Sequence, residues 1–223
     1  MINKKILVVA AHPDDEVLGC GGTLLKHAKN NDEILLLFVS DGESSRIKSK
    51  KKILYRKKQA IKVAKIIKAN KPIFLNFPDN QLDKINILKI AKKFEEVVEK
   101  FRPDIVYTHH YNDLNVDHRL TFEATMIACR PLIESSVTEI YCFEILSSTD
   151  WRGINNLNFR PNVYVDIKNY IKKKIDLMKV YKKEIKTSPH PRSIESITAK
   201  AISRGSEANL FYAESFELIR FIK

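Results

Sequence analysis

The sequence predicts an α/β protein: one domain, residues 1–223, with a mostly parallel sheet and helices on both faces. Three observations predict it. Short apolar, β-branched runs alternate with segments of helical period, and that order calls for parallel strands joined by right-handed crossovers. The run Ile34–Val39 is continuously apolar, as a strand buried on both faces must be. The unusual polar clusters fall where runs end: His12-Pro13-Asp14-Asp15-Glu16, Asp41-Gly42-Glu43, Pro78-Asp79-Asn80 and His109-His110. Ligands of open parallel sheets bind outside the carboxyl ends of the strands, so these clusters belong to one rim.

The elements follow in order. Ile6–Ala11 is the first strand, and Pro13 biases His12 toward extended backbone. Leu18–Asn30 is the crossover helix, expected to open in the glycines Gly19, Gly21 and Gly22. Glu33–Ser40 is the second strand. Ser44–Lys52 reads as a basic loop, and Ile53–Ala69 as a helix with Ala60, Ala64 and Ile67 on one face. Ile73–Phe77 is the third strand. Ile87, Ile90, Ala91, Phe94, Val97, Val98 and Phe101 recur at helical spacing and mark the clearest amphipathic helix. Asp104–Thr108 is a strand that delivers His109 and His110. A helix runs from Asn115-Val116-Asp117-His118 to about Ile127. Thr138–Ile145 and Asn162–Ile167 are strands. Ile171, Ile175, Met178, Tyr181 and Ile185 mark a helix, and Ser193–Ser203 is the last element expected.

Composition narrows the class. Apolar residues make up 44% and charged residues 30%, as in soluble globular chains. No apolar run is long enough to span a bilayer, and the run after Lys4 and Lys5 is too short for a signal peptide. Cys20, Cys129 and Cys142 form no paired motif and are expected as free thiols in a reducing, cytoplasmic setting. The formal charge is +12, with eight basic residues and no acid between Arg46 and Lys58. Solvated helix faces account for much of it. A phosphate-bearing substrate recognised by Arg46, Lys48 and Arg56, or peripheral contact with anionic lipid, is also compatible. Nucleic acid is not expected as a partner: no groove-binding motif is present, and the acidic loop opposes it.

Three consecutive carboxylates, Asp14, Asp15 and Glu16, repel one another unless a cation neutralises them. With the imidazole of His12 beside them, the donor types are those of a zinc site. Such sites take three protein ligands and leave a position for water. His109, His110 and His118 are the candidates for the third; His12, Asp15 and His118 complete the set, with His109 or His110 hydrogen-bonding a ligand from behind. Zinc brings the pKa of a bound water to about 7. Asp14, adjacent to a ligand but not itself one, is the general base. Asp117 orients or charge-stabilises a neighbouring histidine.

Ala11-His12-Pro13-Asp14-Asp15-Glu16 resembles the first motif of the PIG-L/LmbE-type zinc N-deacetylases. Asn115-Val116-Asp117-His118 is similar to their second motif, which usually reads His-Pro-Asp-His. Weaker similarity continues at Arg56, Ser147–Trp151, Arg204-Gly205 and Tyr212–Glu217. The resemblance implies a Rossmann-like fold and hydrolysis of the N-acetyl group of an N-acetylglucosamine-type sugar, free or nucleotide- or lipid-linked. It implies Zn2+ on His12, Asp15 and His118, Asp14 as base, Arg56 as a substrate contact, and a homo-oligomer, trimer or hexamer. Glu16, His109 and His110 join Arg56 as expected substrate-side residues. Asn115 departs from the pattern: its amide can donate a hydrogen bond to an oxyanion but cannot give a proton to the leaving amine. That proton falls to His109, His110 or Asp14. Two other readings are weighed. One is a deacylase of a non-sugar N-acyl metabolite. The other is a non-catalytic metal- or nucleotide-binding Rossmann-like protein, opposed by the last position of the glycine turn, which is Leu24, and by acids that would repel a pyrophosphate.

Overall fold

Strand β1 (Lys5–Ala10) lies at the centre of the molecule, with Ile6 through Ala11 at most 1% exposed. The computed structural model describes residues 3–45, 49–153 and 157–223. Arg46 and Lys48, expected at a substrate phosphate, lie outside the described residues. Further strands are β2 (Glu33–Ser40), β3 (Ile73–Phe77), β4 (Ile105–His109), β5 (Glu139–Phe143), β6 (Val163–Asp166) and β7 (Ala213–Phe221). They form one seven-stranded sheet in the order β3-β2-β1-β4-β5-β7-β6. The first five run parallel; β7 pairs antiparallel with β5 and with β6. The strand order reverses at β1, which puts a crevice at its carboxyl end.

Alternate side chains of β1 feed two cores. Ile6, Val8 and Ala10 pack with helices α1 (Asp15–Lys29), α2 (Lys50–Ile66) and α5 (Ile171–Val180). Leu7 and Val9 pack with α3 (Ile87–Phe101) and α4 (Val116–Ala128). Helix α6 (Ile194–Ser206) packs against β7. The sheet is therefore covered on both faces, as predicted.

Two expectations are corrected. Helix α1 begins at Asp15, ahead of the glycines, so two of the three loop acids occupy its first turn, where the helix dipole favours them. The glycines serve contact instead. A Cβ on Gly19 would sit 2.4 Å from the Phe143 ring, and one on Gly22 would sit 2.7 Å from Ile167. Strand β7 was not expected from the pattern of the chain. Glu214, Ser215 and Glu217 are all buried in it, and a polar run of that kind hides a strand from any hydrophobic pattern.

Candidate metal centre

The site is assembled at the ends of the parallel strands. The chain leaves β1 through His12 and Pro13 and turns at Asp14, whose φ of 128° is a region L-residues avoid. The backbone N–H of Asp14 donates to Glu16 Oε2 at 2.9 Å, and Glu16 Oε1 accepts from the Tyr181 hydroxyl. That turn brings Asp15 back onto His12: Oδ2 accepts from the His12 N–H at 2.9 Å and lies 3.1 Å from His12 Nδ1. From the far side of the crevice, α4 supplies His118. Its Nε2 lies 3.3 Å from His12 Nδ1 and 3.4 Å from Asp15 Oδ2.

Three donor atoms thus converge: His12 Nδ1, Asp15 Oδ2 and His118 Nε2. Bonds of about 2.0–2.1 Å to a tetrahedral ion place neighbouring donors about 3.3 Å apart, which is the spacing found. Asp15 Oδ1 is buried without a hydrogen-bond partner among the described residues, an acceptor left for a cation. Burial alone would discharge both imidazoles, yet the surrounding carboxylates push them up, Asp117, Asp15 and Asp79 around His12, and Asp113 and Asp15 around His118, which reaches about 9. Surroundings this anionic favour a cation at the centre as readily as protons. A second group, His12 Nε2 with Asp79 and Asp117, also clusters. Asp117 already accepts the backbone N–H groups of Asn80 at 2.7 Å and Leu82 at 3.1 Å. The first group, with its orphan oxygen, is the better metal site.

The carboxylates behind His12 and His118 face the second nitrogen of each ring. His12 Nε2 is 3.2 Å from Asp117 Oδ2 and 3.0 Å from Asp79 Oδ1. His118 Nδ1 is 3.1 Å from Asp113 Oδ1, which also accepts from the Ser148 hydroxyl. Asp117 therefore stands behind His12, not behind its sequence neighbour His118. Asp113 has no sequence signal beyond its closeness to the second motif, and Asp79 only its place at a strand end.

The remaining expected residues divide between cleft and interior. Asp14, Arg56 and Asn115 line a cleft of about 90 Å³ together with His12, Asp15, His118, Asp79, Glu184 and Arg192. Burial raises the Asp14 carboxyl to about 6 against the opposing charges of Arg192 and Arg56. Arg56 pairs with Glu184 and lies 3.3 Å from Glu43. Asn115 caps α4, its Oδ1 accepting from the Asp117 N–H at 2.8 Å, and its amide donates to Asn80 at 3.0 Å. Three residues expected on the substrate side are instead fully buried behind the cleft, because Glu16 lies in the first turn of α1 and the two histidines at the buried end of β4; His109 Nδ1 and His110 Nε2 have no hydrogen-bond partner there among the described residues. Glu16 supports the Asp14 turn. His109 Nε2 accepts from the Ala11 N–H at 2.9 Å, and its ring stacks on His118. His110 Nδ1 accepts from the Asn112 N–H, and its Nε2 faces Glu217. Arg192 and Glu184 were not anticipated. They come from the segment between α5 and α6, far from either motif.

A doubly covered, mostly parallel sheet with a His-Asp-His donor group that could hold a metal ion, and a further carboxylate, Asp14, beside it at the switch point, defines a protein of Rossmann-like fold with a candidate metal site. Residues 7–129 match the family model PIG-L, described as GlcNAc-PI de-N-acetylase, and the chain belongs to that family. It is 29% identical over 185 residues to "Uncharacterized deacetylase YaiS" of Escherichia coli, covering 80% of this chain and 91% of that one. It is 25% identical over 201 residues to the diacetylchitobiose deacetylase of Thermococcus kodakarensis, covering 81% and 70%. Among solved structures, the N,N'-diacetylchitobiose deacetylase of Pyrococcus horikoshii superposes with a TM-score of 0.79 at 21% identity, over 97% of this chain and 84% of that one. The protein is a deacetylase of the PIG-L type. No helix among the described residues is long and apolar enough to cross a membrane.

Proposed function

We propose that this protein is a zinc-dependent hydrolase that removes the N-acetyl group from an N-acetylglucosamine-type sugar. One observation carries the chemistry: three buried donor atoms converge within 3.4 Å on a cleft that Asp14 also lines. His12, Asp15 and His118 hold the metal. When bound, the ion lowers the pKa of water toward 7 and polarises the acyl carbonyl.

The side chains of this protein supply the rest. Asp14 takes one proton from the attacking water as its oxygen adds to the acetyl carbon. Asn115 lines the cleft, and beyond the hydrogen bond to Asn80 its amide has a second N–H able to donate to the developing oxyanion. The C–N bond then breaks, and the amine leaves with a proton while acetic acid remains and ionises to acetate in solution. Of Asp14, His109 and His110, only Asp14 lines the cleft, so Asp14 returns that proton. Arg56 is already paired with two carboxylates. It serves the sugar as a hydrogen-bond donor inside an ion cluster whose two carboxylates outnumber its one charge, rather than as a phosphate clamp.

The substrate class rests on the family description and on the named activity of the Thermococcus relative. The test is acetate release from N-acetylated sugars, free, nucleotide-linked and lipid-linked, by zinc-loaded protein. Release from one class, abolished by a chelator and restored by zinc, is expected. No release from any of them, with zinc bound, contradicts the assignment.

A further inference from the structure

Asp14 carries the central role in the proposed reaction from an unfavourable position. Its backbone is at φ 128°, its side chain is 3% exposed, and its neighbour Asp15 is a carboxylate. A buried carboxylate on a strained turn does not hold one orientation unaided. Its main chain is held by Glu16, as described. Its side chain is held from across the molecule: Arg192 Nη1 donates to Asp14 Oδ2 at 3.0 Å. Among the described residues no hydrogen bond is made to Asp14 Oδ1.

Arg192 is itself anchored on several sides. Its Nε donates to Ser147 Oγ at 2.9 Å and Nη1 lies 3.5 Å from Glu184 Oε2. Its backbone N–H donates to His190 Nδ1 at 3.0 Å, and the next residue, Ser193, caps α6 through the Ser196 N–H. The guanidinium therefore joins the loop after β1, the loop after β5 and the segment leading into α6. Its planar fork suits that geometry, which an ammonium cannot reproduce.

We infer that Arg192 is the positioning residue of Asp14. It fixes the carboxylate by one oxygen and leaves the other for the cleft beside His12, Asp15 and His118. This rests on the proposed role of Asp14. It also makes the C-terminal third of the chain part of the active-site machinery although it contributes no metal ligand.

Two measurements test it. In zinc-loaded Arg192→Met, kcat is expected to fall about a hundredfold, the scale of a small misplacement of a catalytic group, with KM within about twofold; Arg192→Lys recovers part of the loss. A raised KM with kcat unchanged would make Arg192 a substrate contact and overturn the inference. The second readout needs no turnover: a thermal-melt cycle on metal-free wild type, Arg192→Met, Asp14→Asn and the double variant. The double variant is expected to lose less than the sum of the singles, because both remove one interaction. Additive losses overturn the inference. If Arg192→Met does not fold, Arg192→Lys carries both measurements. If the wild type releases no acetate from any sugar, the deacetylase assignment fails while the cycle still decides whether Arg192 holds Asp14.

Discussion

Asp113 illustrates how much of this site lies one layer behind the ligands. Its carboxyl accepts from Ser148 and Thr149 while facing His118 Nδ1. Burial would push it up, but His118 and these hydroxyls hold it well below the usual carboxylate range. It is therefore ionised throughout the working range and fixes the His118 ring. Asp113→Asn is expected to weaken zinc binding by about 10–100-fold, measured by competition with a chromogenic chelator; unchanged affinity would remove Asp113 from the metal centre. The residues nearest the chemistry were the legible ones, because His12, Asp14 and Asp15 stand together in one motif with chemically distinctive side chains. Asp113 and Arg192 were not, and Asp79 was legible only as part of a strand-end cluster on the rim, since a single acid or arginine in a loop looks the same whether it faces water or a ligand.

At the scale of elements, β7 shows where pattern fails and pairing takes over. Glu214 is buried, yet its carboxylate accepts the N–H groups of Gly22 at 2.8 Å and Thr23 at 2.6 Å and pairs with Lys174 at 2.6 Å. Those N–H groups lie just past Cys20, where α1 leaves helical geometry. The strand thus satisfies donors exposed by a kink in the helix that carries the site. Removing one partner leaves a buried charge unmatched, so Glu214→Ala is expected to cost about 3–5 kcal/mol, read from urea unfolding. A loss below about 1 kcal/mol would show the pair to be solvated. The parallel half of the sheet was legible strand by strand because its residues are apolar on both faces. The antiparallel addition was not, because its buried polar residues are satisfied by distant parts of the chain, Glu214 by partners nearly 200 positions away.

The whole molecule responds to acid and to metal through separate groups. Glu144 accepts from Arg204 through both oxygens, at 2.7 and 2.8 Å. Burial would raise it, but the Arg204 hydrogen bonds and the charges of Lys200 and Arg204 hold it below the ordinary glutamate value. Because the native value is depressed, its contribution is complete above the unfolded pKa and disappears as pH falls through the native one. The Tm of Glu144→Gln should therefore lie below wild type at pH 7 and approach it near pH 3; a gap that persists at pH 3 would assign the loss to packing. Metal acts only on the folded state. At free zinc a thousandfold above Kd it contributes about 4 kcal/mol, so chelation should lower Tm by on the order of 10 °C in a chain of this size. An unchanged Tm would mean that the His-Asp-His group binds no ion.

The central claim is that His12, Asp15 and His118 hold the metal and that Asp14, beside them, moves the proton. The most direct measurement is zinc content and acetate release on the same samples of wild type, His118→Ala and Asp14→Asn. Asp14→Asn is predicted to keep one zinc per chain while its turnover falls by about 10²–10⁴, and His118→Ala to lose both. Asp14→Asn that loses zinc as fully as His118→Ala, or that retains wild-type turnover, would contradict the account.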